Sequence, residues 1–195
     1  MPSQWSAATA LPDTRSGAPQ DARPIWLFGY GSLIFKADFP FRQRRPAAIR
    51  GWARRFWQGS HDHRGSAQAP GRVLTLVAAP GALCGGIAYL IAPQAFAQLD
   101  EREQDGYRRS ATTIEFGDGS RAAGLVYYAD AGNPAWLGPA SSQCIARQIN
   151  RAVGASGRNR DYLLALAQAL RTLGQHDAHV FELEACVRAL PAPVA

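Results

Sequence analysis

Residues 26–36 read WLFGYGSLIFK, and the order of apolar and turn-forming residues here decides how the fold begins. The apolar run Ile25–Phe28 predicts a short buried strand. Gly29-Tyr30-Gly31-Ser32 interrupts it before hydrophobicity resumes at Leu33-Ile34-Phe35. A chain that leaves a buried strand and buries itself again four residues later must turn sharply. Two glycines flanking a tyrosine read as positions of positive φ, where backbone approaches a ligand closely and successive N–H groups converge on a negatively charged oxygen. The turn is therefore a candidate anion or oxyanion site, against the plainer alternative of a tight turn whose tyrosine packs on the surface.

The 195-residue chain has the length of one well-buried domain, and 47% hydrophobic residues is ordinary for a globular core. Residues 1–24 mix Ser, Ala, Pro, Gln, Thr and Asp without periodicity and end at Arg23-Pro24. They read as a disordered extension before a domain over 25–190, with 191–195 as a tail. The extension lacks the basic start and continuous apolar region of a secretory signal, and no window holds 18 consecutive apolar residues. A cytoplasmic protein with no membrane partner is expected. Cys84, Cys144 and Cys186 are odd in number, far apart and outside any metal-ligand spacing, so each reads as a small hydrophobe in a core or helix. The net charge of +6 rests on 20 arginines and one lysine. Eight of those arginines fall between Arg42 and Arg72, interleaved with apolar residues rather than in a run. With no helix-turn-helix, zinc-finger or stacking-sheet signature, a small anionic ligand fits the charge better than nucleic acid does.

Apolar patterning predicts strands near 25–29, 49–57, 73–79, 85–91, 107–116 and 122–128, and helices near 93–103, 142–153, 159–173 and 177–189. Strands fill the first two thirds of the chain and helices the last third. That segregation predicts an α+β fold: a small β-barrel or curved, mostly antiparallel sheet with helices packed outside it. The helix 159–173 carries Leu163, Leu166, Leu170 and Leu173 on one face and reads as structural.

The second informative stretch is Pro93–Tyr107, PQAFAQLDEREQDGY. Pro93 suits a first helical turn and Gly106 a C-terminal cap. Phe96, Leu99 and Glu103 stand at i, i+3 and i+7, so Glu103 continues an apolar stripe, while Asp100, Glu101 and Arg102 are expected to be solvated. Glu103 is either a surface residue at a helix end or, if desolvated beside a cavity, a carboxyl whose pKa rises into the range of a general acid/base. Elsewhere, Ser60-His61-Asp62-His63-Arg64 lies on extended chain whose neighbours alternate in direction, so neither a metal site nor a nucleophile is expected from it. Arg64 or Arg72 suits a carboxylate at the far end of a ligand. Of Tyr127 and Tyr128 on one strand, one should face inward and the other outward.

Taken together, FGYGSLIFKADFPF (28–41), RGWARRFWQGSHDHRG (50–65), PGRVLTLV (70–77), LDEREQDGYRR (99–109), YYADAGNPAWLGPAS (127–141), IARQINRAVGASGRNRDYL (145–163) and HVFELEACVRAL (179–190) resemble the ChaC-type γ-glutamylcyclotransferases that act on glutathione. The resemblance spans residues 25–190. It implies an α+β cyclotransferase fold around a small barrel, with a glycine-tyrosine loop holding the γ-glutamyl group. Carried over by position, that loop is Leu27, Phe28, Gly29, Tyr30, Gly31 and Ser32, followed by Leu33, and the acid/base is Glu103 with Tyr107 nearby. The family's REKGGY stands here as Arg102-Glu103-Gln104-Asp105-Gly106-Tyr107, so a carboxylate at Asp105 is added close to an anionic substrate.

The chemistry so implied needs no metal, cofactor or protein nucleophile: the substrate's own α-amine attacks its γ-carbonyl, forming 5-oxoproline and expelling cysteinylglycine. The protein must move a proton, hold the cyclising conformer and stabilise an oxyanion. Two further readings remain at this point: the same reaction on other γ-glutamyl amino acids or amines, and a regulatory protein that binds γ-glutamyl compounds without turnover. Oligomeric state is left open.

Overall fold

The computed structural model describes residues 23–102 and 106–191. Most of the extension predicted over 1–24, most of the tail over 191–195 and the candidate base Glu103 lie outside the described residues.

Five strands close a barrel: β1 (Ile25–Gly29), β2 (Gln43–Ser60), β3 (Gly71–Ile91), β4 (Tyr107–Phe116) and β5 (Arg121–Ala129), in the order β1-β3-β2-β4-β5. Every pairing is antiparallel except the one that closes the ring, where β1 runs parallel to β5 with Leu27 opposite Leu125. Closure removes both sheet edges and sets β1 between β3 and β5, where Leu27, Phe28 and Gly29 are buried and Ile25 and Trp26 half-buried. Around the barrel stand α1 (Ala95–Arg102), α2 (Ser142–Arg151), α3 (Asn159–Thr172) and α4 (Ala178–Arg188). The α+β segregation expected from the sequence is the architecture found.

The two long strands correct the expected boundaries. Residues 73–79 and 85–91 belong to one strand, β3, and 49–57 is the middle of β2. Pairing runs from Trp52 opposite Ala78 directly to Arg50 opposite Leu83, so residues 79–82 of β3 face only Gly51 of β2. Gly51 and Gly81 take φ of 79° and 82° at this corner, a left-handed conformation that glycine adopts without a Cβ clash. The ladder thus bends without breaking, and Ala79-Pro80-Gly81 reads as a turn in sequence while sitting inside a strand. A two-stranded ribbon of β6 (Val153–Gly154) and β7 (Gly157–Arg158), not expected from the sequence, joins α2 to α3.

The helices pack as their stripes require. Ile145 and Ile149 of α2, Leu163, Leu166 and Leu170 of α3, and Val180, Leu183 and Val187 of α4 are all within 1% of full burial and join the barrel residues in one core. Ser141 caps α2 by accepting from the Cys144 N–H, and Asp177 caps α4 by accepting from the Val180 N–H at 3.0 Å. Asp177 also pairs with the fully buried Arg54 of β2 at 3.1 Å, so one carboxylate both starts α4 and ties it to the barrel. Cys84 is buried as expected of a core hydrophobe, whereas Cys144 is exposed on α2, where Ser141 and Arg147 hold its thiol below the usual range.

Candidate active site

Strand β1 delivers its turn into the mouth of the barrel. Phe28 lies between Ala88 of β3 and Val126 of β5, and Gly29 still pairs with Ile87. The chain then closes a single 3-10 turn, Ser32–Ile34, with Ile34 N–H donating to the Gly31 carbonyl at 3.0 Å and Lys36 N–H to the Ser32 carbonyl at 2.8 Å. Two side chains clamp the turn: the Tyr89 hydroxyl donates to the Leu33 carbonyl at 2.6 Å, and Arg44 donates to the Ile34 carbonyl at 3.2 Å. A turn whose carbonyls are held by side-chain donors keeps its shape without a ligand, which is the preorganisation a binding site needs.

The expected positive φ at Gly29 and Gly31 is not found. Gly31 has φ −123°, and neither residue is among the glycines of positive φ. Glycine is required here by space. A Cβ on Gly29 would stand 2.6 Å from the Leu33 Cβ, and one on Gly31 would stand 3.2 Å from the Tyr162 hydroxyl. The 3-10 turn folds Leu33 back over Gly29, and α3 brings Tyr162 against Gly31.

The turn walls a chamber of about 50 Å³ lined by Phe28, Gly29, Tyr30, Gly31, Ser32, Leu33, Leu74, Tyr107, Tyr127 and Tyr162. Seven of the eight ligand-contacting residues expected from the sequence meet there. The eighth, Leu27, is fully buried in the barrel wall and does not line the chamber, because it alternates with Phe28 along β1. Beside it lies a cleft of about 340 Å³ that shares Ser32, Tyr107 and Tyr162 with the chamber and is otherwise walled by residues including Phe35, Lys36, His63, Arg64 and Glu101. The Tyr107 hydroxyl donates to the Leu74 carbonyl, fixing its ring between the two spaces.

The chamber wall also involves groups that the sequence reading did not assign to the site. Tyr127 is 5% exposed and donates its hydroxyl proton to Asp100 of α1 at 2.5 Å. Burial, then the Asp100 carboxylate, push its phenol well above the usual tyrosine range, so it stays protonated. Asp100 also takes Arg109 of β4 at 3.1 Å, and the Arg109 guanidinium lies 4.6 Å from the Phe96 ring centroid. Asp100 is therefore not the solvated charge expected of it: four residues after Phe96, it shares the helix face that meets the barrel. Glu101 is exposed as expected, yet it lines the outer cleft. Tyr127 and Tyr128 do point opposite ways, but both are buried, Tyr128 against Trp52 and Arg108. Helix 159–173, read as purely structural, contributes Tyr162 from its first turn; a polar-tipped ring at the head of a leucine stripe was the available signal.

The two candidate arginines separate cleanly. Arg72 is buried, with its guanidinium given to Gln148 and to the Phe56 and Gly138 carbonyls, and burial lowers its pKa. Arg64 lines the outer cleft, stacked 5.3 Å from the Tyr162 ring and donating to the Ser156 carbonyl at 2.6 Å. Asp62 and His63 pair with each other at the same rim, and His63 reaches Ser156 at 3.0 Å.

A glycine turn beside a tyrosine-walled chamber that opens into a larger polar cleft suits a small ligand with a compact anionic end and a longer tail. Comparison with known proteins gives a consistent picture. The family model described as ChaC-like protein matches residues 25–190. Gamma-glutamylcyclotransferase 2-3 of Arabidopsis thaliana is 43% identical over 176 residues, covering 84% of this chain and 88% of its own. Glutathione-specific gamma-glutamylcyclotransferase 1 of Homo sapiens is 36% identical over 190 residues, covering 89% and 86%. Among solved structures, a yeast γ-glutamyl cyclotransferase specific to glutathione superposes with a TM-score of 0.81 at 29% identity, over 86% of this chain and 96% of that one. The barrel, the turn and the match along nearly the whole domain lead to one assignment: this chain belongs to the ChaC-like protein family.

Proposed function

We propose that this protein cyclises the γ-glutamyl group of glutathione, releasing 5-oxoproline and cysteinylglycine. The observation that carries the reading is the small chamber behind the Gly29–Ser32 turn, joined to a larger cleft through Ser32, Tyr107 and Tyr162. That shape matches a γ-glutamyl head that must fold on itself and a dipeptide tail that must leave. Relatives named as glutathione-specific γ-glutamylcyclotransferases over most of the chain support the same substrate.

In this reaction the α-amine nitrogen attacks the γ-carbonyl carbon, the γ-amide C–N bond breaks, and the cysteinyl nitrogen leaves with a proton. Atoms balance without water, oxidant or metal. Glu103 is the acid/base: it takes a proton from the α-ammonium and returns it to the leaving nitrogen. In sequence Glu103 follows Phe96 and Leu99, both buried on α1, at the spacing of one helix face. The head group occupies the chamber among Phe28, Gly29, Tyr30, Gly31, Ser32 and Leu33, with Leu27 supporting the wall from behind. Backbone N–H groups of the turn face the developing oxyanion or the α-carboxylate. The tail lies in the outer cleft, where Arg64 meets the terminal carboxylate, Arg72 being fully engaged elsewhere. Three cysteines without disulfides suit the cytoplasm, where glutathione is reduced.

Incubating the purified protein with glutathione, γ-glutamylalanine and γ-glutamyl-lysine and quantifying 5-oxoproline tests the proposal. Product from glutathione well above the other two is expected. Preference for either of the others would make it a cyclotransferase of different scope, and binding without product from any would make it a γ-glutamyl-binding protein.

A further inference from the structure

Tyr127 and Asp100 form a buried polar unit on the chamber wall that the turn and Glu103 do not account for. Arg109 and Tyr127 are direct cross-strand partners on β4 and β5, so their side chains rise from the same face of the sheet. Asp100 descends onto both from α1, accepting from the Tyr127 hydroxyl at 2.5 Å and from Arg109 at 3.1 Å and 3.3 Å. Asp100 has 26% of its side chain exposed and Arg109 7%, so the unit is largely shielded from competing water. Thr75 holds the same strand two residues on, accepting from the Ala129 N–H at 2.9 Å and donating to the Ala129 carbonyl at 2.6 Å.

A phenol has one proton and two acceptor positions. Tyr127 spends its proton on a carboxylate, and Arg109 hydrogen-bonds to the phenol as well. What Tyr127 has left for a ligand is a lone pair. Donation to a charged acceptor also draws electron density toward the phenol oxygen and strengthens it as an acceptor. In a chamber also lined by the Gly29–Ser32 turn, an acceptor distinguishes the two ends of an amino acid: backbone N–H groups suit the carboxylate, and an oxygen lone pair suits the amine.

Building on the proposed glutathione reaction, we propose that Tyr127 accepts a hydrogen bond from the substrate's α-amine, and that Asp100 is the positioning residue that commits the tyrosine proton away from the chamber and so fixes this polarity. The unit then selects γ-glutamyl compounds over acyl groups that lack the amine. It also holds the nitrogen in place while the base removes its proton. Arg109 holds Asp100 in place.

The experiment compares two ligands in the same protein preparation: the KM for glutathione, and the competitive inhibition constant of glutaryl-cysteinylglycine, which keeps the glutathione skeleton but has no α-amine and cannot cyclise. The parent protein is expected to favour glutathione. Tyr127→Phe should raise the KM for glutathione about tenfold or more, as for a lost hydrogen bond to a charged group, while the constant for the glutaryl compound stays within about threefold. Asp100→Asn should shift the same ratio in the same direction, and the double variant should shift it no further than Tyr127→Phe alone. Because both constants are read from the same folded molecules, loss of stability leaves the ratio unchanged. Equal weakening of both ligands by Tyr127→Phe, or of neither, would overturn the proposal, as would an additive effect of Asp100→Asn on the Tyr127→Phe background. A parent that forms no 5-oxoproline would remove the reading beneath it, and this shows in the first measurement.

Discussion

Asp100 and Glu184 are both carboxylates held by arginine, yet one is bonded to a residue of the chamber wall and the other joins two helices. Glu184, on α4, has 4% of its side chain exposed and accepts from Arg171 of α3 and Arg188 one turn on; these bonds hold its pKa below the usual range. The three groups tie α3 to α4 with the arginine side chains 47% and 60% exposed, and none of them lines the chamber. Asp100 accepts from Arg109 on one side, but on the other it accepts from a tyrosine whose ring walls a cavity. A closed ion-pair cluster ties elements together, whereas one that borders empty space orients something for a ligand. The difference lies in where the last partner stands.

Gly31→Val tests the cavity side most sharply. A branched side chain there meets the Tyr162 hydroxyl, which stands 3.2 Å from even a bare Cβ, and pushes into the chamber. Turnover per folded molecule should fall on the order of 100-fold, the scale of losses seen when reacting groups are displaced by about 1 Å. Melting temperature combined with specific activity of the folded fraction separates the outcomes; full activity per folded molecule would make the turn merely structural.

Glu184→Ala should do the reverse. Removing a buried carboxylate from two arginine partners should cost about 2 kcal/mol, or roughly 4–8 °C in melting temperature for a chain of this size, with kcat/KM of the folded protein unchanged. A fall in kcat/KM without loss of stability would erase the contrast between the two regions.

The smallest effect is a pH dependence on the structural side. His179 accepts the Phe56 N–H at 3.1 Å, and burial, aided by Arg55, lowers its pKa to about 4. Asp177 and Glu182 oppose that shift, and Arg72 adds to it. The folded pKa lies below the unfolded one, so the unfolded chain binds the extra proton between about 6.5 and 4. Stability present above pH 6.5 is therefore lost as pH falls toward 4. Between pH 7 and pH 5 this amounts to about 1–2 kcal/mol, and His179→Gln should flatten the melting-temperature profile across that window. An unchanged slope would place the titrating group elsewhere.

Much of this was legible in the residues. The uninterrupted apolar run of β1 placed that strand, and capping by Ser141 and Asp177 marks helix starts close to those predicted. The corner at Gly51 and Gly81 was not legible, because a bend shared by two paired strands looks in one dimension like a turn between separate strands. The chamber was half legible. Local sequence carries the Phe28–Leu33 wall, whereas Tyr127 and Tyr162 reach it from distant elements, with Asp100 bonded to Tyr127, and only the tertiary fold brings them together. The glycines were recognised for the wrong reason: close packing against Leu33 and Tyr162 is a tertiary fact that a dipeptide pattern does not encode.

The proposed role of Glu103 as the proton-transferring carboxylate is tested by the steady-state rate of 5-oxoproline formation from glutathione by Glu103→Gln. A loss of 100-fold or more in kcat, typical of removing a general acid/base, is expected, with melting temperature preserved. Turnover within about threefold of the parent would contradict it.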